Sequence, residues 1–444
     1  VLRSPKGLSP AVVDLIAEQK NEPAWMRRIR YEGLRQFSQL PLPSFGPDLS
    51  RLDFDELYYY LKPSERKAQT WNDVPPEIQR TFNRLKLPQY EQEWLAGVGA
   101  QYDSENIYHS VLPGLREQGV LFTDVETAVR ERPDLVKKYF GKLVEPGDNK
   151  FAALNTAVWS GGSFIYVPPN VHVELPLQAY FRINASRMGQ FERTLIVADK
   201  GSFVHYVEGC SAPTYQASAL HSAVVEVFAE RGAHVRYTTL QNWSKNVYNL
   251  VTKRARAEAE ATVEWVDFNL GSAVTMKYPA VLLSGRGARA DILSMTYAGK
   301  LQHQDAGARV FHLAPKTTSV MTSKSVSYGG GRTTFRGRLK IAPQADDCRS
   351  QISCSALILD RHSASDTFPT LEVGNASAVV AHEASVAKIS DAQVFYAATR
   401  GIPPKPAAAL VVNGFFEPLI KQLPMEYAVE MNRLIELEMI GAVG

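Results

Sequence analysis

The chain has 444 residues and a formal net charge of +3, with 21% of its residues charged. That length exceeds one ordinary globular core and suggests about three domains, or fewer if a long repetitive fold absorbs it. The charge balance argues against nucleic acid as a partner: the densest basic run, Lys253-Arg254-Ala255-Arg256, is short and reads as a solvated strand end. An apolar fraction of 45% supplies a large core, yet no run approaches the roughly 20 apolar residues needed to cross a bilayer. The stretch Val1-Leu2-Arg3-Ser4-Pro5 has neither an initiator Met nor the apolar segment of a signal peptide. Three cysteines, Cys210, Cys348 and Cys354, do not make a disulfide framework and fit a reducing compartment. The cytosol is the default expectation, with an organelle stroma as the alternative.

The first part of the chain reads as helical. Ser9-Pro10 before Ala11, Val12, Leu15 and Ile16 is a cap, a first-turn proline and an apolar face. A proline-rich connector, Leu40-Pro41-Leu42-Pro43, follows. Pro75-Pro76 before Ile78, Phe82 and Leu85 is a second helix start, and Glu91 through Val98 and Val125 through Phe140 read as further short helices.

Near residue 150 the character changes. Up to about 395 the sequence is rich in Val, Ile, Phe, Tyr and Thr at period two, as in Phe203-Val204-His205-Tyr206-Val207 and Val263-Glu264-Trp265-Val266-Asp267-Phe268. A weak repeat runs through these strands: Gly201-Ser202, Gly232-Ala233, Gly287-Ala288 and Gly307-Ala308 each precede an alternating segment. Spacings of about 20 to 30 residues without hairpin signals favour stacked coils of a β-solenoid over a sandwich or jelly roll. Helical patterning returns after about 395, with Pro406 and Pro424 as helix starts. The expected plan is mainly β: a helical domain over 1–150, a parallel β-helix over 151–395 and a helical domain over 396–444.

The chain has no phosphate-binding loop, because Gly329-Gly330-Gly331 is not followed by Lys-Ser/Thr, and it has no nucleophile elbow, zincin helix or C-x-x-C pair. Chemistry therefore rests on few residues. Cys354 lies in a strand-like run, and His382-Glu383 interrupts an apolar stretch about one coil later. Burying that carboxylate costs several kcal/mol unless it is paired or cation-bound. Thiolate, imidazole and carboxylate all suit iron, although one of two adjacent strand residues should face outward. Against this, cysteine is among the most buried residue types and usually only packs. Cys348, beside Asp346-Asp347, is the weaker candidate, Cys210 sits where a strand ends and exposure is expected, and His205, His234 and His312 read as satisfied or solvent-facing.

Longer motifs then come into view. Leu95-Ala96-Gly97-Val98-Gly99-Ala100-Gln101-Tyr102-Asp103-Ser104-Glu105, Ser160-Gly161-Gly162-Ser163-Phe164, Phe191-Glu192-Arg193-Thr194-Leu195, Glu208-Gly209-Cys210, Gln241-Asn242-Trp243, Asn413-Gly414-Phe415 and Met425-Glu426-Tyr427-Ala428-Val429-Glu430 resemble the SufB family from about Glu22 to Gly444. The resemblance implies a right-handed parallel β-helix between helical domains, serving as a scaffold for iron–sulfur cluster assembly rather than as an enzyme. It implies a SufC-type ABC ATPase docked on the C-terminal helices, and a SufD-type paralogue or a second copy paired through the β-helix. It also implies persulfide sulfur delivered from a cysteine desulfurase by a carrier, and it leaves open whether a reduced flavin takes part. A photosynthetic eukaryotic source would place the protein in the plastid stroma. Position by position, Cys354 matches the cluster-building cysteine, with Glu383 and His382 as auxiliary ligands. Cys210 matches the first sulfur acceptor, and Arg182, Asn184, Gln241, Trp243 and Lys253 match residues lining a passage between the two cysteines. Three departures stand out: an N-terminal C-x-x-C motif of some members is missing, Ala381 replaces a glutamate, and Pro169-Asn170 replaces Lys-Gly. Two rival readings remain: a platform for the ATPase with the sulfur chemistry elsewhere, and a β-helix carbohydrate-active enzyme, which would need convergent carboxylates.

Overall fold

A computed structural model describes residues 2–62, 95–183, 187–211, 218–421, 423, 428 and 431–436. The helix start at Pro75-Pro76, the first residues of the Glu91 segment, the start of the Pro424 helix and Asn184 lie outside these. The body is the expected parallel β-solenoid. Its strands alternate between two sheets of ten and twelve strands, each strand pairing with the one a coil earlier and a coil later. Two strands that exchange residue for residue in parallel register point paired side chains to the same face. The solenoid therefore carries straight columns of side chains along its length.

One corner of each coil follows a common rule. A residue in the left-handed region is followed by a small buried one: Gly201-Ser202, Gly232-Ala233, Glu260-Ala261, Gly287-Ala288, Lys316-Thr317 and Asp347-Cys348. The left-handed residue donates its N–H to the next coil, to a carbonyl where Gly232 meets Ala259 at 2.8 Å and Lys316 meets Asp346 at 2.7 Å, and to the Ser377 hydroxyl at 2.8 Å for Asp347. Cys348 is thus a corner residue, buried against the Thr317 hydroxyl at 3.1 Å. The Gly307-Ala308 pair is different: Gly307 lies inside the strand His303–His312, opposite Arg336, where a Cβ would come within 2.1 Å of a backbone oxygen.

The two ends are unlike. At the N-terminal end Gly97–Tyr102 pairs parallel with His172–Arg182 and antiparallel with Glu105–Val111, while Leu121–Asp124 lies antiparallel to Ser163–Val167. Val98 is therefore in a strand, not in the helix expected over Glu91–Val98, because this segment has a sheet edge to complete. At the other end Ala364–Val373 and Val379–Lys388 are the last strands of their sheets. Phe368, Val373, Val379 and Val386 are exposed there.

Helices cover the outside of both sheets. Ser9 caps the helix Pro10–Gln19 as expected, and the segment Val125–Phe140 forms the helices Val125–Glu131 and Pro133–Tyr139. The latter pair packs Val129, Val136 and Tyr139 on Leu195, Val197 and Phe228 of the twelve-stranded sheet. Arg30, fully buried, ties the helix Ala24–Gln39 to the body through the Glu22 carboxylate and the carbonyls of Ala157 and Trp159. On the ten-stranded sheet, Ala409, Val412, Phe416 and Ile420 of the helix Pro404–Ile420 cover Val266, Phe268, Met295 and Tyr297. That helix starts two residues before Pro406, since neither proline has an N–H to lose in a first turn whose N–H groups lack partners. A further helix, Asp391–Thr399, precedes it. Among the described residues no helix is long and apolar enough to cross a membrane.

Candidate functional site: a polar lane inside the solenoid

In its four strands from Phe203–Ser211 to Arg289–Ala298 the ten-stranded sheet changes its inward side from apolar to polar halfway along. In the strand Thr262–Gly271, Val263 and Trp265 point inward among the core while Glu264 points out. Two residues further, Asp267 and Asn269 point inward, and Val266, Phe268 and Leu270 face the C-terminal helices. The neighbouring strands do the same. The registers then assemble two inward columns. One runs Glu208, Thr239, Asp267, Ser294, Ser323, Cys354. The other runs Cys210, Gln241, Asn269, Thr296, Ser325, Ala356. All twelve are buried. The twelve-stranded sheet supplies a facing column of His221, Asn249, Thr275, Gln304, Thr333 and Ser365. Asn249 bridges to Gln241 at 2.6 Å and Thr333 to Ser325 at 3.3 Å, which closes the lane from both sides.

At one end of the lane stands Cys210. It is not exposed at a strand end: it belongs to the strand Phe203–Ser211 and has 2% of its surface accessible. Its thiol is pushed well above its usual range, first by burial and then by the Glu208 and Glu192 carboxylates, with Lys253 and Lys277 pulling the other way. Glu208 accepts from Tyr237 and lies 3.6 Å from the sulfur. His221 contacts Glu192 through Nε2 and Asn249 Oδ1 through Nδ1 at 2.7 Å. Burial is the largest influence and lowers its pKa, but the Glu192 carboxylate, the Asn249 amide and the Glu208 carboxylate together raise it above the ordinary imidazole value. Trp243 packs on the His221 ring at 4.6 Å between centroids.

Next along the lane lies an ionic triad. Lys253 and Lys277 each place Nζ 3.2 Å from Asp267 Oδ1. Burial would raise the Asp267 carboxyl, but the two ammonium groups hold it down at about 2. Burial brings Lys277 down to about 8, opposed by Asp267. Lys253 also lies over the Tyr237 ring at 4.5 Å. It is thus an interior residue, contrary to the solvated strand end expected for its run; only Arg254 and Arg256 of that run face outward. Arg182 is half-buried and in register with Ser211, beside Cys210.

Cys354 closes the lane at the other end, in register with Ser323 on one side and Ala384 on the other. Burial alone raises its thiol to about 12. His382 is paired with Ile352 and so shares the face of Cys354, whereas Glu383 is paired with Ser353 on the opposite face and accepts from its hydroxyl at 2.8 Å. The expected convergence of Cys354, His382 and Glu383 is therefore incomplete within one chain. Period two sends the carboxylate outward. The other histidines are satisfied as expected: His205 meets Thr238 at 3.0 Å, His234 pairs with Glu264, and His312 is buried between Thr317 and Ser319.

Sequence reading missed Glu192, Glu208, His221, Asn249, Asp267 and Lys277. The usable signal was the polarity reversal. A half-strand that puts polar residues at i and i+2 between outward apolar ones marks a polar interior beneath a covered sheet.

These features define a β-solenoid with a buried polar lane joining two cysteines. Comparison with known proteins gives the family. Residues 181–415 match the SufBD core domain of the SUF system for FeS cluster assembly, and residues 14–179 match the SufBD N-terminal region. The chain is 53% identical over its full 444 residues to the iron–sulfur cluster assembly protein SufB of Bacillus subtilis (strain 168), covering 96% of that protein. It is 54% identical over the same span to an iron–sulfur cluster assembly SufBD family protein of Staphylococcus aureus (strain USA300), again covering 96% of it. The chain belongs to the SufB iron–sulfur cluster assembly proteins of the SufBD family.

Proposed function

We propose that the chain is the scaffold on which sulfur and iron meet, rather than an enzyme, and that it works in the cytoplasm beside a SufC-type ATPase and a SufD-type paralogue or second copy. Sulfur arrives as a carrier's persulfide. The Cys210 thiolate attacks the terminal sulfur, the new S–S bond forms, the carrier's S–S bond breaks, and the carrier leaves as a thiolate. Persulfides are anionic, so the ammonium groups of Lys253 and Lys277 oppose the cost of carrying one through a buried lane. Gln241 and Trp243 line its start; Arg182, which is in register with Ser211 and so on the face opposite Cys210, and Asn184 are assigned there on the resemblance alone. Sulfur then reaches Cys354, where iron is added. One cysteine and one histidine on a shared face undersupply a cluster, so the partner at the open edge completes the ligand set, with Glu383 offering a carboxylate from the outer face. The ATPase docks on the C-terminal helices, and its hydrolysis drives the rearrangement that gives iron access.

The observation that carries this reading is the pair of in-register columns that ends on Cys210 and Ala356 in one case and on Glu208 and Cys354 in the other. The test is anaerobic co-purification with the ATPase and the paralogue, followed by iron, sulfide and visible absorbance. Wild type should hold both, and Cys354→Ser should lose the thiolate-to-iron absorption. Equal iron and sulfide in both would move the chemistry to another subunit and leave this chain as a platform.

A further inference from the structure

Glu192, Cys210 and His221 present a carboxylate oxygen, a sulfur and an imidazole nitrogen that all lie within 4.8 Å of one another. Glu192 and His221 are fully buried. The sulfur-transfer reading uses the cysteine and leaves the other two without a task. Glu192 is also incompletely satisfied: its Oε2 is buried with no hydrogen-bond partner. A carboxylate oxygen removed from water and left unpaired is costly, and buried charges of this kind are paired or bind a cation.

The surroundings of His221 point the same way. Its Nδ1 faces Asn249 Oδ1, and the orientation of that amide is fixed because Asn249 Nδ2 donates to Gln241 Oε1 at 2.6 Å. A histidine whose one ring N–H is held by an amide or carboxylate oxygen offers the other nitrogen as a metal ligand. Here that nitrogen is Nε2, the atom turned toward Glu192. Trp243 against the ring blocks its rotation.

We propose that Glu192, Cys210 and His221 form a mononuclear site for a divalent first-row transition metal at the head of the lane, with Asn249 as its positioning residue. A mixed S, N and O ligand set suits Fe(II) or Zn(II) and is wrong for the oxygen-seeking Mg(II) and Ca(II). Three protein ligands leave a fourth position open, as in sites that react rather than merely stabilise. The proposal needs only this buried trio and stands or falls independently of sulfur transfer to Cys354.

Binding must displace the proton on the thiol and the one on Nε2, so metal uptake releases protons. The test uses the full chain, purified anaerobically and free of metal, titrated with Co(II) as an optical probe. Wild type should develop thiolate-to-cobalt charge transfer saturating at one ion per chain, with proton release into a weak buffer. Cys210→Ser should abolish the charge transfer while Cys354→Ser keeps it. Asn249→Ala should keep the band and weaken binding by about 10–100-fold. Circular dichroism of each metal-free variant checks the fold, and if Cys210→Ser or Glu192→Gln fails to fold, the graded loss in Asn249→Ala decides. No charge transfer in wild type, a band that survives Cys210→Ser, or unchanged affinity in Asn249→Ala would each overturn the proposal. Because the readout is cobalt in the isolated chain, its failure is distinct from a failure to hold iron and sulfide in the complex.

Discussion

Cys210 and Cys354 stand on the same sheet, both facing inward, in opposite surroundings. Around Cys210 the lane is filled with ionic groups: Glu192 facing His221, and Lys253 and Lys277 with Asp267. Toward Cys354 the columns shrink to Ser294, Thr296, Ser323, Ser325 and Ala356, and the last coil is open to solvent. Burial raises both thiols, but only Cys210 has cations near enough to pull back. The difference teaches where help must come from. The closed end carries its counter-charges within the chain, whereas burial alone acts on the Cys354 thiol, so on the proposed reading a cation or a base has to be supplied there from outside the chain.

Four experiments would break or sharpen this contrast. The largest effect should come from Asp267→Ala, which strands two buried ammonium groups and should cost about 3–5 kcal/mol in urea unfolding at neutral pH. The Asp267 carboxyl is held below its ordinary value at about 2. Its contribution is therefore complete above about pH 4 and lost as the pH falls through 2, so the gap between wild type and variant should narrow by about 2 kcal/mol across that range. A wide gap that ignores pH would show that the triad is not ionic.

Alkylation tests the other end. With its thiol at about 12, folded Cys354 should react with iodoacetamide roughly 1000-fold more slowly than a free cysteine at neutral pH. Mass spectrometry of peptides would read this, and fast labelling would mean that the open edge already activates the thiol.

His312 gives the next effect. Burial holds its imidazole down at about 4, between two hydroxyl groups. A depressed histidine contributes stability that is present above about 6.5 and lost as the pH falls through 4. Wild type should therefore lose up to about 3 kcal/mol more than His312→Gln between pH 7 and pH 4. The smallest change in stability belongs to Val386→Lys, on the last strand and 60% exposed. It should shift unfolding by no more than about 0.5 kcal/mol. It should still abolish association with the paralogue, as read by native mass spectrometry, because charges on an edge strand block pairing.

Much of the fold was legible because period-two apolar alternation and a coil-length repeat are direct consequences of stacking. The one-coil distance from Cys354 to Glu383 was readable for the same reason, and Ser9 as a cap because Ser-Pro before an apolar face marks a helix start locally. The corner repeat was only half visible. Glu260, Lys316 and Asp347 hold the left-handed position that glycine holds elsewhere, because an acceptor one coil on, a carbonyl for Glu260 and Lys316 and the Ser377 hydroxyl for Asp347, holds the backbone whatever the side chain. The chamber was illegible in local windows. Glu192, Cys210 and His221 come from a connector and two separate strands, of two different sheets, and meet only when the coils stack. A polar residue two positions from another looks solvent-facing until the covering helix is known.

The antiparallel strands at the N-terminal end have a consequence for assembly. Stacked parallel coils with two bare ends would extend without limit, one chain adding to the next, as fibrils do. Here Glu105–Val111 and Leu121–Asp124 run against the grain of the solenoid and terminate both sheets. A further parallel coil laid on this end would meet strands of opposite direction, whereas Ala364–Val373 and Val379–Lys388 at the other end present the solenoid's own parallel repeat unchanged.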